Sequence, residues 1–250
     1  MATALAWRGV GRFQKGLPGW GDDFDRASAL AEGSDALSRS AIVTYKYAGI
    51  PRGVFLADES ALREIESAAQ LAERSNDDMA VVLSPMVLGT ALIHNGEDRQ
   101  RGYDVLRNLR ETCIQKQFGL SIVPFIDAYL ARELAEQGHA EAAIALWRPL
   151  IDEMVADGNF ANVDLPVIFL AETLISRGEY DDAAIEIERL SRMGAEREWR
   201  SREISALRLR VLLAQARGDD TAYGELRNRY REMANELGFH GHMQWAAEMS

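Results

Sequence analysis

The chain has 250 residues, 47% hydrophobic and 27% charged, with one cysteine and a formal charge of −11. The hydrophobic share is ample for a buried core, and the acidic excess repels phosphate backbones and anionic headgroups, so no direct nucleic-acid or membrane partner is expected. Cys113 alone cannot form an intramolecular disulfide or a multi-cysteine metal site. With an N-terminus unlike a secretory signal, this points to a cytoplasmic protein.

Ala2 to Gln14 and Asp22 to Ala31 read as a helix pair joined by KGLPGWG. Leu5, Ala6, Trp7, Val10 and Phe13 cover more than one face of the first helix, more than the second helix alone can bury. That edge is expected to support a homodimer. Ser34 to Tyr47 and Ser60 to Arg74 read as a second pair, joined by the long loop AGIPRGVFLADE. The uncharged stretch from Met79 to His94 falls short of the roughly 20 residues that span a bilayer. It contains Pro85, which, like Pro149, sits inside a predicted helix and should bend it.

Along the chain a second helix of each pair, B, repeats one pattern: a small residue, then apolar residues four and seven positions on. The instances are Ala61-Ile65-Ala68, Gly102-Leu106-Leu109, Ala143-Trp147-Leu150, Ala183-Ile187-Leu190 and Ala222-Leu226 with Arg229, where Tyr230 substitutes. Their starts lie 41, 41, 40 and 39 residues apart, the signature of stacked supersecondary units, and the internal spacing is helical. Gly96, Gly138, Gly178 and Gly218 separate each B helix from the preceding helix, A. Gly119, Gly158, Gly194 and Gly238 are expected to end B helices, with Leu120, Phe160 and Phe239 supplying a hydrophobic contact at three of them. The small residue opening B is expected where B crosses its own A helix, opposite Gly89 or Ala171. No linker interrupts the series, so the expectation is an all-α fold, a single helical-repeat domain over residues 1–250.

This arrangement of small residues, turn glycine and aromatic resembles the tetratricopeptide repeat: in SRGEYDDAAIEIERL the glycine, Tyr180 and Ala183 fall on that family's pattern. The resemblance implies a right-handed superhelix of about five to six antiparallel helix pairs. Two features depart from it. The period is near 40 instead of 34, and the helix A tryptophan is replaced by Pro85, Asp127, Val167 and Leu207. A HEAT-like array is the alternative.

AWRGVGRF with LPGW, VTYKYAGIPRGVFLADESALREIE, LAERSNDD, GTALIH and ELGFHGHMQWAAEM together resemble one family more closely. It is the C-terminal helical-repeat region of multidomain signalling proteins of GC-rich bacteria, in which a class III adenylate cyclase and a nucleotide-binding ATPase come first. The resemblance implies a non-catalytic regulatory or docking module with a protein or peptide partner and no cofactor. A small-molecule sensor of a signal-transduction ATPase or transcription regulator is the alternative. Neither a phosphate-binding GxxxxGK[ST] loop nor a GxSxG elbow is present, and no enzyme activity is expected.

The tetratricopeptide pattern, counted back from each glycine turn, implies that the groove-facing positions include Met86, Thr90, Phe125, Tyr129, Arg132, Ile168, Glu172 and Arg208. In the stretch YKYAGIPRGVFLADE, Tyr45, Tyr47 and Arg52 could meet an anionic ligand or peptide or, alternatively, the tyrosines could pack against neighbouring helices. His240 and His242 could contribute to a metal site only if a third ligand converged, so none is expected. Cys113 reads as a buried thiol. The pairs Asp77-Asp78, Asp181-Asp182 and Asp219-Asp220 read as helix-start charges.

Overall fold

The computed structural model describes residues 1–159 and 161–249, and among these it is all-helical, with no strand. Thirteen α-helices run in order: α1 Ala2–Lys15, α2 Trp20–Leu30, α3 Ala36–Tyr47, α4 Glu59–Glu73, α5 Ala80–Asn95, α6 Arg99–Lys116, α7 Val123–Glu136, α8 Ala140–Ala156, α9 Asp164–Ser176, α10 Tyr180–Ala195, α11 Arg200–Arg217, α12 Asp220–Leu237 and α13 His240–Glu248. They form two compact units, Met1–Ile126 and Asp127–Ser250, and the division falls inside α7.

In the N-terminal unit each odd-numbered helix packs on its even-numbered partner and on the next odd-numbered helix: α1 on α2 and α3, α3 on α4 and α5. Buried Asp23 clamps the first pair, accepting from Arg8 Nε (2.9 Å), Arg8 Nη2 (2.5 Å) and Arg12 Nη1 (2.9 Å). The Arg8 hydrogen bonds hold its carboxyl below the ordinary range, against the opposing effect of burial. Val43, Tyr47, Ile65, Val87, Leu88 and Leu92 form a core between α3, α4 and α5. Small residues open the α5/α6 crossing: a Cβ on Gly102 would lie 2.7 Å from the Gly89 carbonyl oxygen, and one on Gly89 would lie 2.7 Å from Leu106. Both helices need glycine there to approach this closely.

The C-terminal unit repeats the scheme: α9 packs on α8, α10 and α11, while α11 packs on α10 and α12. Trp147 is fully buried and its indole N–H donates to the Ala128 carbonyl at 3.0 Å, fixing α8 against α7. Ion pairs then bridge consecutive repeats, with Arg148–Asp182 and Arg189–Asp152 both at 2.8 Å between α8 and α10, and Arg217–Asp181 at 2.8 Å between α11 and α10. Exposed pairs of this kind are worth about 0–1 kcal/mol each, so they support a register that the buried B-helix stripe Ala183, Ile187 and Leu190 sets.

The four glycines between A and B helices all have positive φ, from 71° at Gly218 to 90° at Gly138. The second glycine series meets expectation in part: Gly158 follows the end of α8 with φ 70°. Gly238 ends α12 with Phe239 wholly buried behind it. In contrast, α6 is capped by left-handed Gln117, and Leu120 is 45% exposed. Gly194 lies inside α10, where a Cβ would come 3.1 Å from Arg202 Cβ; there glycine serves close packing, not a turn. Phe160 lies outside the described residues. On α8 the buried stripe is Ala143, Trp147, Ile151 and Met154, so Ile151 occupies the place expected for half-buried Leu150. Seven and eight residues both complete about two turns of a 3.6-residue helix, and here the eighth faces inward. Pro85 and Pro149 both sit within continuous helices.

Candidate functional site

The eight groove positions separate into buried and half-buried sets. Thr90, Phe125, Tyr129 and Ile168 are all buried, Tyr129 completely. Thr90 donates to the Val87 carbonyl of its own helix, and Tyr129 meets Phe169 edge-on with centroids 5.1 Å apart. These side chains serve the core; they do not present a surface to a partner. Met86, Arg132, Glu172 and Arg208 are half-buried.

Three of those four converge in the C-terminal unit. Arg132 of α7 stacks over Phe169 with its guanidinium carbon 4.7 Å from the ring centroid, and its Nε donates to Glu136 at 3.1 Å. Glu172 of α9 accepts from Arg208 Nη1 of α11 at 2.5 Å. Arg208 in turn stacks over the Trp245 ring of α13 at 4.7 Å. Side-chain exposures of 22%, 27% and 21% for Arg132, Glu172 and Arg208 leave each charge partly desolvated yet reachable. Burial would raise the Glu172 carboxyl, but Arg208 and then Arg132 outweigh it and hold it below the ordinary range. Charge therefore alternates along Glu136, Arg132, Glu172 and Arg208, and an aromatic face backs each arginine. Arg208 Nε is covered and has no acceptor among the described residues, which makes this arginine the least satisfied member of the row.

Phe169 and Trp245 fall outside the groove positions counted from the sequence. Trp245 had a usable signal: Arg132, Glu172, Arg208 and Trp245 are spaced 40, 36 and 37 residues apart, so the same count carried one helix further reaches it. Phe169 is invisible to a groove count because it is buried and acts through its ring face.

Of the three residues expected to meet a ligand from the loop, Tyr45 and Tyr47 lie in the last turn of α3 and only Arg52 lies beyond it, and all three serve packing. Arg52 is 6% exposed and donates to the Ala48 carbonyl at 2.9 Å, within a 3-10 turn at Ile50–Arg52. Tyr47 is buried and its hydroxyl donates to Glu64 at 2.5 Å; burial and that carboxylate push the phenol well above its usual range. Tyr45 stacks against Trp7 at 4.6 Å. Of the other polar candidates, His242 is buried with Nδ1 2.8 Å from the Tyr230 hydroxyl, while His240 is exposed at the start of α13. Burial raises the Cys113 thiol. Asp77 and Asp219 accept from the Ala80 and Ala222 amides at helix starts.

No protein-family model matches the chain, and no curated protein matches it. Among the described residues no helix is long and apolar enough to cross a membrane.

Proposed function

We propose that the chain is a non-catalytic docking module, tetratricopeptide-like in build, that holds a protein or peptide segment along the Arg132–Glu172–Arg208–Trp245 row. The tetratricopeptide reading is supported within each unit by the packing of alternate helices on one another, and in the N-terminal unit by the Gly89/Gly102 crossing. The observation that carries the docking proposal is the row itself: half-buried charges from α7, α9 and α11, backed by aromatic faces, at the register counted from the repeat. Desolvated arginines stacked on aromatics suit binding surfaces because guanidinium groups hold carboxylates and carbonyls in a fixed fork. Alternating charge selects a segment with complementary alternation over a simple polyanion.

Charge distribution narrows the partner further. Met1–Ile126 holds 14 basic and 16 acidic residues, whereas Asp127–Ser250 holds 14 and 23. The field of the second unit steers a net basic partner towards it and disfavours nucleic acid. A role beside a cyclase or ATPase, as the sequence resemblance implies, fits a module of this kind in the cytoplasm.

The test is a charge swap, Glu172→Arg with Arg208→Glu, compared with each single change. The singles break an internal pair and should weaken both stability and capture of the partner from the host's lysate. The double change restores the pair but sets a cation beside Arg132 and loses the stack on Trp245, so its melting temperature should recover part of what the singles lose while the inverted row still fails to capture the partner. A double variant that captures the same partner as the wild type places the interface elsewhere.

A further inference from the structure

A cleft of about 400 Å³ opens in the C-terminal unit between α10, α11 and α12. Its cause is legible in the repeat. Ser191 and Ala195 line it from α10, and the equivalent places one repeat earlier in α8, 40 residues back, hold Ile151 and Val155. Small residues where the neighbouring repeat has branched aliphatic ones leave space beside the next B helix. The floor is apolar, made by buried Leu207 and half-buried Met233. The size lies within the roughly 300–1,000 Å³ range of small-molecule sites.

The walls carry three arginines and three glutamates. Arg200 holds Glu203 and Glu236 at 3.3 Å, longer than the roughly 2.7–2.9 Å of a strong charge-assisted bond. Arg210 is engaged with Glu188 at 3.2 Å and Ser191 at 3.1 Å. The remaining two, Arg229 and Glu232, stand one turn apart on the rim of α12. Arg229 stands seven residues after Ala222 on α12, in register with Ala68, Leu109, Leu150 and Leu190, but buried Tyr230 takes the inward packing place, which leaves Arg229 exposed on the wall of the cleft.

We propose that this cleft binds an amino-acid zwitterion with an apolar side chain. Its carboxylate would be held by Arg229, its ammonium by Glu232, and its side chain would rest on Leu207 and Met233. The acidic excess of the unit disfavours a simple anion, and a group of one sign alone would leave either the three arginines or the three glutamates of the walls unmatched. A zwitterion satisfies both ends, and residues one helical turn apart have Cβ atoms about 5–6 Å apart, near enough for their side chains to reach both charges of one small molecule. The inference is independent of the docking row and would add small-molecule sensing to the same unit.

The experiment is titration of the full chain, labelled at methionine methyls, with L-leucine, L-phenylalanine and L-glutamine. Isoamylamine and 4-methylvalerate serve as the amine-only and acid-only counterparts of leucine. The expected result is a saturable shift of the Met233 methyl with leucine or phenylalanine, at least ~10-fold weaker binding of either counterpart, and loss of the shift in Arg229→Gln and in Glu232→Gln. Both positions are exposed, so unchanged melting temperatures should show that folding survives. No saturable shift with any of the three amino acids, a shift unaffected by both substitutions, or equal binding of the amine alone would overturn the proposal.

Discussion

Tyr129 shows how one residue can satisfy a repeat count and still belong to the core. It lies three positions before Arg132 on α7, close enough in helical phase to share a predicted face. Its side chain is nevertheless wholly buried, edge-on to Phe169. Tyr129→Ala should therefore cost about 3–5 kcal/mol, as large aromatic truncations in cores do, and any loss of binding would reflect unfolding. Ala183 tests the helix crossing more directly. It is fully buried at the start of α10, so Ala183→Leu should destabilise by roughly 1–3 kcal/mol through overpacking. Ser176, exposed at the end of α9, should accept leucine with little change. Urea melts of the two variants compare them; equal effects would remove the basis for the small-residue crossing.

At the scale of elements, the four helix ranges read from the sequence all end within two residues of the observed bounds, because apolar residues recur there at the helical period. Predicted Ser60 to Arg74 and observed Glu59–Glu73 differ by one residue. What failed were inferences that one residue type has one role. Gly194 reads as a terminator, but Trp199 N–H returns to the Gly194 carbonyl at 2.9 Å and the left-handed residue of that link is Glu198. Nothing local distinguishes a glycine that turns the chain from one that lets two helices touch. The site was half legible for a similar reason: a count along successive helices finds phase, which Arg132, Glu172 and Arg208 share, but not depth, which cross-helix packing decides. The link between α9 and α11 makes a pH prediction. Because Arg208 and Arg132 depress the Glu172 carboxyl in the folded chain, its stabilising contribution is present above the ordinary glutamate value of about 4.3 and is lost as pH falls through the lower folded value. Thermal melts from neutral pH down through that window should fall more steeply for wild type than for Glu172→Gln. Parallel slopes would show that the pair contributes nothing beyond its exposed neighbours.

For the whole molecule, self-association rests on the N-terminal edge. The sequence places five apolar residues around α1, and α2 alone cannot cover them. The structure meets part of that need because α1 packs on α3 as well as α2. Ala6 and Phe13 become fully buried, Leu5 and Val10 half-buried, and Trp7 leans on Tyr45 while keeping 56% of its surface exposed. Leu17, in the turn that follows α1, is 50% exposed. The remaining apolar surface is thus smaller than the sequence alone suggests, and the choice of test residues changes with it. Phe13→Glu would place a charge in the core and unfold the unit, so it says nothing about association. Trp7→Glu with Leu17→Glu removes only surface that faces water. If a second copy covers this edge, sedimentation at micromolar concentration should show wild type heavier than the variant, with the difference growing with concentration. A wild type that sediments as a monomer across that range would leave Trp7 as an exposed ring resting on Tyr45 and would end the case for a dimer through α1.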